Sequence, residues 1–167
     1  MQKITAELIS RVAAKAESSP RKRMHHNFHK ACEDKIQRLL NVCLADTYIR
    51  PHRHRDPDKD EVFIILKGRI MIVEFDDSGR VKDTFILDAQ NGNLGVEIPA
   101  RVWHTFICLE DGSCVYEVKE GPYSPLTDKD FAPWAPKEES PEAGLFKGRI
   151  MKELGLSAFA ENHGLWP

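Results

Sequence analysis

Two histidines separated by a single residue, His52 and His54, are the first sign of chemistry in this sequence. In a β-strand, residues two apart project from the same face, so both imidazoles point in one direction. Glu61 opens the next predicted strand, and an antiparallel neighbour would bring its carboxylate back beside the histidines. Far downstream, His104 stands at the start of another predicted strand, just after a proline turn. Three imidazoles and one carboxylate that converge inside a barrel form a set of metal ligands.

This ligand set predicts one divalent transition metal per chain. Neutral imidazole suits Zn, Fe, Ni or Cu, and the carboxylate extends the range to Mn, so the ligand types do not identify the metal. Four protein ligands leave two positions open on a six-coordinate ion. Open positions are what a catalytic metal needs for substrate or water.

The segments around these residues are short, rich in β-branched and aromatic side chains, and separated by turn sequences such as that at 76–79. With no helical pattern between them, they predict a mainly β sandwich or barrel. A helix precedes them, with Thr5 as its N-cap and an apolar stripe at Ile9, Val12 and Ala16. The predicted strands cover 61–66, 70–75, 81–87, 94–98, 102–109 and 114–119. The segment at 36–44 has a period that fits either a helix or a strand, and a strand is favoured.

The C-terminal part of the chain changes character, because half of the ten prolines lie between 122 and 141. Such a segment cannot continue a sheet, and we expect it to drape over the barrel. A helix is predicted to follow, with Ser140 as N-cap, Phe146 and Ile150 in its buried stripe, and Gly155 as its stop. The chain is thus divided into an N-terminal helix and basic segment at 1–30, a barrel at 31–120, and a tail with a helix at 121–167.

Length and charge exclude several classes of protein. The 167 residues fit one domain, and 24 basic against 26 acidic side chains give a net charge of -2, unlike a nucleic-acid-binding surface. The longest apolar run, at 62–66, is far too short to span a membrane. The N-terminus lacks the apolar stretch of a signal peptide, so we expect a cytoplasmic protein.

The spacing of the candidate ligands resembles the cupin family. Glu61 and Gly68 keep the spacing of the first cupin motif after its H-x-H, and Pro99 with His104 fits the second motif. The gap between His54 and Glu61 is two residues longer than usual. In addition, the family's glycines are replaced by Asp46 and Arg101, and its terminal asparagine by Cys108. The resemblance implies a jelly-roll barrel (a double-stranded β-helix), a metal site at the four ligand positions, and a homodimer.

Within the cupins, the sequence is similar to the WbuC-type cupin-fold metalloproteins. The resemblance implies a metal-binding protein of a kind often encoded near genes for O-antigen or capsule polysaccharide. The substrate is not implied. The matching segments lie between residue 5 and about residue 140, at 20–23, 27–29, 48–54, 96–99, 103–104 and 121–136.

Strand alternation selects further candidates for the cavity. Tyr48 and Arg50 share the parity of the two histidines and are expected to face the same cavity, where Tyr48 positions substrate or shuttles a proton. Arg50 either binds a carboxylate or phosphate, or forms a salt bridge to a barrel-lining acid such as Glu97 or Glu117. Phe63 shares the face of the ligands.

Aromatic and basic residues complete the candidate substrate site. Phe106, together with Phe63, is expected to form an apolar wall, and His29 with Arg21 and Arg23 an anion-binding lip at the barrel mouth. A second metal site at the histidines of 25–29 competes with a solvated surface segment. Trp103 is expected to point away from the cavity, toward a partner sheet or a dimer interface. The tail aromatics at 131 and 134 serve either as packing anchors or as a lid.

Three functions remain open. The first is a metal-dependent enzyme, an isomerase or epimerase, acting on a small polar or anionic metabolite such as a sugar or sugar nucleotide, with the metal as Lewis acid. The second is a non-catalytic metal- and metabolite-binding protein, a sensor or carrier. The third is an iron-dependent dioxygenase. A titratable side chain close to the metal but outside the ligand set favours catalysis, and its absence favours binding alone.

Overall fold

The computed structural model describes residues 1–156. Two five-stranded antiparallel sheets face each other, with the strand orders β1-β2-β9-β4-β7 and β10-β3-β8-β5-β6. One helix precedes the sheets and one follows them. The elements are α1 (Ala6–Ser18), β1 (Arg23–Asn27), β2 (Ile36–Cys43), β3 (His52–Arg53), β4 (Glu61–Lys67), β5 (Arg69–Phe75), β6 (Val81–Asp88), β7 (Gly95–Ile98), β8 (Trp103–Cys108), β9 (Ser113–Glu120), β10 (Asp130–Phe131) and α2 (Glu142–Glu153).

The interior between the sheets is filled by one face of each strand. In β5, Ile70 and Ile72 point inward beside Phe106 of β8, whereas Met71 and Val73 point to the outer face. All of these side chains are buried. A strand that is covered on both faces needs a continuous apolar sequence, which explains why β5 and β8 show no polar alternation.

The outer faces of the two sheets are covered by the two ends of the chain. Helix α1 packs Leu8 and Val12 on the outer side of β2, against Leu40 and Val42. The opposite sheet is covered by the tail and by α2, whose Phe146, Ile150 and Met151 pack against the outer residues of β5 and β8. The terminal segments therefore complete the core, and burying their apolar faces stabilises the barrel.

The mainly β architecture with an N-terminal and a C-terminal helix confirms the expectation from sequence. Thr5 caps α1 by accepting a hydrogen bond from the Leu8 amide at 3.2 Å, and the ambiguous segment at 36–44 is the strand β2. Two strands were not predicted. Strand β1 lies in the basic segment and pairs with β2, and the short strand β10 lies in the tail and pairs with β3.

Both helices are short. Helix α2 begins one residue later than expected from a Ser140 cap, because Pro141 occupies the N-cap position and no side chain caps the helix. Gly155 follows the helix with a φ of +73°, the left-handed conformation that commonly ends a helix. Neither helix of the described residues is long and apolar enough to cross a membrane.

Candidate metal centre

The four predicted ligands meet at one point between the two sheets. His52 on β3 lies directly across from His104 on β8, His54 follows β3, and Glu61 begins β4 in the facing sheet. All four side chains are buried, and one potential ligand atom from each lies within 4.8 Å of the others. The longer connection before Glu61 therefore does not displace its carboxylate from the histidines.

The backbone fixes the orientation of all three imidazoles. Nδ1 of His52 lies 3.0 Å from the carbonyl oxygen of Arg50, and Nδ1 of His104 lies 2.9 Å from that of Val102. Nδ1 of His54 is bonded in the same way to the carbonyl of Asp128. Because a carbonyl oxygen only accepts, each Nδ1 carries a hydrogen, and Nε2 is the ring nitrogen that is turned toward the site, as in metal-bound histidines.

The atoms that converge on the site fit a bound cation. Nε2 of His104 lies 3.1 Å and Nε2 of His54 3.5 Å from the same Glu61 oxygen, Oε2. Nε2 of His54 is buried without a hydrogen-bond partner. Two lone-pair nitrogens facing a carboxylate oxygen repel one another unless a proton or a metal ion lies between them. The four residues could therefore hold a metal.

The protonation states also suit metal binding. Burial and the positive charge of Lys129 hold the pKa of His52 well below its ordinary value, so that this ring is neutral. Burial alone would raise the pKa of Glu61, but in the metal-free site the His104 imidazole, which donates a hydrogen bond, together with the His54 imidazole and the Lys119 ammonium, holds it well below its ordinary value. A neutral imidazole beside an ionised carboxylate is the state in which both bind metals.

A buried network of ion pairs lies beside the ligands and joins the tail to the barrel. The Asp128 carboxylate lies 2.6 Å from Nζ of Lys119 and 2.9 Å from Nζ of Lys59. Lys119 also reaches Oε1 of Glu61 at 4.0 Å. The Lys59 side chain is buried, with its ammonium paired to Asp128. This network links the tail to the ligand shell.

The site opens into a cavity of about 390 Å³. Phe63 and Phe106 both line it, with edge-to-face rings 5.8 Å apart, in agreement with the predicted apolar wall. Phe131 of the tail also lines the cavity, its ring 6.1 Å from that of His52, while 42% of its surface stays exposed. The cavity is therefore walled by both the barrel and the tail.

One carboxyl group in the cavity lies outside the ligand set. Glu117 on β9 is buried and accepts a hydrogen bond from the Asn41 amide at 3.0 Å. Burial, together with the nearby charge of Glu61, raises the pKa of Glu117 to about 7. The sequence identified Glu117 only as a possible partner of Arg50, although its alternation with Lys119 places both on the inner face of β9.

Tyr48 and Arg50 do not line this cavity, contrary to the alternation argument. The Tyr48 hydroxyl donates to the carbonyl of Pro136 at 3.0 Å, and the Arg50 guanidinium donates to the carbonyl of Ala132 at 2.7 Å and lies over the Phe131 ring. Regular strand geometry begins only at His52, so residue parity does not extend upstream through Pro51. Both side chains instead fasten the tail to the barrel.

The basic residues of the predicted lip all line the cavity, but they differ in their partners. Arg23 is buried, with a 2.6 Å ion pair to Glu138 and a hydrogen bond to the Tyr48 carbonyl. Arg21 is exposed at the cavity. His29 accepts from the Arg38 amide through Nδ1 at 3.0 Å. Trp103 points outward as expected, and the chain's own tail covers it.

Two motif positions explain the spacing of the ligands. Gly68 has a φ of +71°, and a Cβ there would lie 2.4 Å from Oγ of Ser113, so the turn after β4 requires glycine. Arg101 occupies the second-motif position where glycine was expected. It has a φ of +70°, and its amide donates to the carbonyl of His54 at 2.9 Å. The turn is thus retained although its residue has changed.

Three residues near the site carry no signal in the sequence: Lys59, Asp128 and Lys129. They lie in a charged turn and in the proline-rich tail, where no strand or helix period selects an inward face. Strand β9, by contrast, has a regular alternation, and this alternation places Glu117 and Lys119 on its inward face.

The sequence matches the family described as "Domain of unknown function (DUF6016)" over residues 4–87. No curated protein matches the chain. Solved structures do match. The capsular polysaccharide assembling protein CapF from Staphylococcus aureus superposes with a TM-score of 0.55 and 21% identity, over 68% of this chain and 30% of CapF.

Two further structures have a similar fold. L-ribose isomerase from Cellulomonas parahominis matches with a TM-score of 0.52 and 14% identity, over 68% of this chain and 70% of the isomerase. The protein TT1209 from Thermus thermophilus matches with a TM-score of 0.51 and 15% identity, over 72% of this chain and 97% of TT1209. These likenesses show a cupin-like jelly-roll fold.

Proposed function

The chain belongs to the DUF6016 family, and we propose that it is a metal-dependent enzyme of the WbuC type that isomerises or epimerises a small sugar-like metabolite. One observation carries this proposal. A cluster of four converging ligands opens into a cavity that also holds Glu117, a buried carboxyl outside the ligand set. A site that only stores a metal has no need of a second titratable group beside it.

Each part of the cavity has a defined task. Held by His52, His54, Glu61 and His104, one divalent transition metal would polarise a substrate oxygen as a Lewis acid. The backbone carbonyls behind the three imidazoles keep the Nε2 atoms aimed at that position. Phe63 and Phe106 exclude water from one side, which strengthens the electrostatic interactions inside.

Glu117 is the candidate general acid and base. Its pKa of about 7 means that it can both accept and return a proton near neutral pH. Its Oε2 is held by the Asn41 amide, so the carboxyl group has a fixed orientation in the cavity. An aldose–ketose isomerase moves a proton between adjacent carbons and another between their oxygens, whereas an epimerase removes a proton from one carbon and returns a proton to the opposite face of the same carbon. Neither reaction consumes a second substrate.

Cavity size and two fold neighbours support a sugar as substrate. A volume of about 390 Å³ lies at the lower end of the roughly 300–1,000 Å³ of small-molecule sites. That is enough for a monosaccharide, whereas only the sugar end of a sugar nucleotide would fit. CapF is a capsular polysaccharide assembling protein, and the isomerase acts on L-ribose.

Proton exchange with solvent tests the proposal. The untagged protein is loaded with Zn, Mn, Ni or Fe(II) and incubated in D₂O with aldoses, ketoses and their phosphates. An isomerase or epimerase incorporates deuterium at carbon, which NMR detects. Glu117→Gln is expected to abolish the exchange while it keeps the metal, and His104→Ala is expected to lose both.

The same samples separate the alternatives. Saturable sugar binding without exchange would identify a non-catalytic sensor or carrier. Substrate-dependent oxygen consumption by the Fe(II) form would identify a dioxygenase. Either result would overturn isomerisation, while a chain that retains no metal at all would overturn the metal site itself.

The proposal includes a cytoplasmic homodimer, as the resemblance to cupins implies. Strands β4 and β6 expose apolar side chains that a second copy could cover, among them Ile64, Leu66, Phe85 and Ile86. Light scattering coupled to gel filtration measures the mass of the particle in solution. A mass of one chain at micromolar concentration would remove this part of the proposal.

A further inference from the structure

Lys129 lies on the tail between two aspartates that are both anchored to the barrel. On one side, Asp128 pairs with Lys59 and Lys119. On the other side, Asp130 lies 2.8 Å from Nε of Arg53 and 2.6 Å from Nε of Arg55. The backbone that carries Lys129 is therefore held from both directions, which fixes where its side chain leaves the chain at the cavity.

The Lys129 ammonium has no partner of its own. Its side chain is partly buried and lines the cavity, yet within residues 1–156 it takes part in no hydrogen bond or ion pair. Burial and the charge of Lys119 lower the pKa of Lys129 below its ordinary value. A cation that is partly removed from water without a counter-ion costs free energy, and a bound anion would offset that cost.

The other basic side chains of the cavity differ in whether they have an acidic partner. Arg23 is committed to Glu138, and Lys119 to Asp128. Arg21, at the cavity, has no side-chain partner among the residues that the structure describes. Among the lysine and arginine side chains that line the cavity, Lys129 and Arg21 are thus the ones without a hydrogen-bonded or ion-paired partner in the part of the chain that the structure describes, and the Glu117 carboxyl is the acidic group outside the ligand set that is not ion-paired there.

We propose that Lys129, with Arg21 at the same cavity, forms the subsite for an oxyanion, the phosphate or carboxylate group of a small substrate whose other end reaches the four-ligand cluster. This inference rests on the proposed function and narrows its substrate class to a sugar phosphate or a sugar acid. Lysine suits the subsite because its compact ammonium can donate hydrogen bonds to either a phosphate or a carboxylate. The volume of about 390 Å³ suits one such molecule.

NMR titration of the ¹⁵N-labelled protein tests the subsite with three probes: inorganic phosphate, D-gluconate and uncharged D-glucose. Metal-free and zinc-loaded samples are compared, since phosphate can also bind zinc directly. We expect amide shifts at 21 and 128–130 with one or both anions. Lys129→Met is expected to weaken that binding about tenfold or more in both samples, and Lys129→Arg to retain most of it.

Lys137→Met is the matched control, because Lys137 is an exposed lysine of the same tail and does not line the cavity. It should bind both anions as the parent does. Anion binding that is unchanged in Lys129→Met, or absent from the parent, overturns the subsite even if one metal per chain is retained. Anion binding that depends on Lys129 in a chain that takes up no metal supports the subsite and overturns the proposed metal chemistry instead.

Discussion

The barrel and the tail supply different parts of the same site. The barrel provides all four candidate ligands and the apolar wall. The tail provides the carbonyl that orients His54, the carboxylate of Asp128 and the unpaired Lys129. Strand register fixes the first set, whereas a few buried polar contacts fix the second. In this fold, the barrel brings the ligands together, and the irregular tail orients one of them, His54, and adds charged groups beside the cluster.

The two regions are also held by different interactions. Two of the ligands, Glu61 and His104, lie on strands with long hydrogen-bonded pairings, such as that of β8 with β5. The described part of the tail has one short strand pairing, that of β10 with β3, a few single backbone hydrogen bonds such as that from the Ala132 amide to the Pro51 carbonyl, and contacts between side chains. Trp134 packs on Phe75, with ring centroids 5.1 Å apart. It also lies so close to Gly79 that a Cβ there would meet its ring at 2.6 Å.

Removing a ligand from the barrel is expected to have the largest effect. His52→Ala and His104→Ala should each lower the metal content of the purified, untagged protein from about one ion per chain to nearly none. Each change removes a converging nitrogen and breaks the set of ligands. Elemental analysis measures the content. His25→Ala, which removes another cavity-lining histidine, should keep its metal, and an equal loss there would contradict the assignment of ligands.

Replacing Asp128, which holds the tail against the barrel, is expected to have the next largest effect. Asp128→Asn leaves Lys59 buried without a counter-ion and Lys119 with only the more distant Glu61, which should cost about 3–5 kcal/mol of unfolding free energy. It should also weaken metal binding by about 10–100-fold, because the carbonyl that orients His54 shifts. Urea denaturation and metal titration measure the two effects.

The neighbouring aspartate provides the control for that variant. The Asp130 side chain is 27% exposed, so Asp130→Asn should cost no more than about 1 kcal/mol, as for surface ion pairs. Equal effects of the two substitutions would mean that burial does not distinguish these anchors. The lysines hold the pKa of Asp128 below its ordinary value, although burial alone would raise it. The Asp128 contribution is therefore present above an unfolded-state pKa of about 3.9 and is lost only as the pH falls below it.

The contrast between the regular barrel and the irregular tail also explains how much of the structure could be predicted from the sequence. The strands from β4 to β9 and the convergence of His52, His54, Glu61 and His104 follow from alternation and motif spacing, because both reflect regular geometry. The inward face of β9 follows from the same alternation. The expected orientations of Tyr48 and Arg50 were wrong because alternation was extended through Pro51 into irregular backbone.

The tail half of the site could not be predicted in this way. Lys129 follows Asp128 in the chain, yet one side chain is fully paired and the other has no partner among the described residues. That difference depends on where β3, β4 and β9 place their charged residues, and no local pattern encodes it. Strand β1 escaped prediction for a related reason, because its alternation places Arg23 rather than an apolar side chain on the buried face.

The substitution Glu117→Gln tests whether the barrel contributes a titratable group to the cavity besides the metal ligands. Its pKa rises from an ordinary value of 4.5 to about 7 in the folded, metal-free protein. Its neutral form therefore stabilises the fold below pH 4.5, and this contribution is lost as the pH rises through 7. Glutamine does not titrate. Relative to the parent, Glu117→Gln should gain up to about 3 kcal/mol of stability between pH 4.5 and pH 8.

Urea denaturation of both metal-free proteins at pH 5 and pH 8 measures this difference. Subtracting the two proteins removes the contributions of groups that do not interact with Glu117. A difference that stays constant between the two pH values would show that Glu117 titrates at its ordinary pKa, and the general acid and base would then have to be sought elsewhere in the cavity.

The smallest expected effect lies at the N-terminal helix, outside both halves of the site. Thr5→Ala removes the oxygen that accepts from the Leu8 amide and should cost about 1 kcal/mol of unfolding free energy, whereas Thr5→Ser should cost little. Metal affinity should not change, since α1 packs on the outer face of the sheet through Leu8, Ile9 and Val12. If metal affinity nevertheless falls in proportion to stability, the loss expected for Asp128→Asn reflects general destabilisation, and the tail does not orient His54 for metal binding.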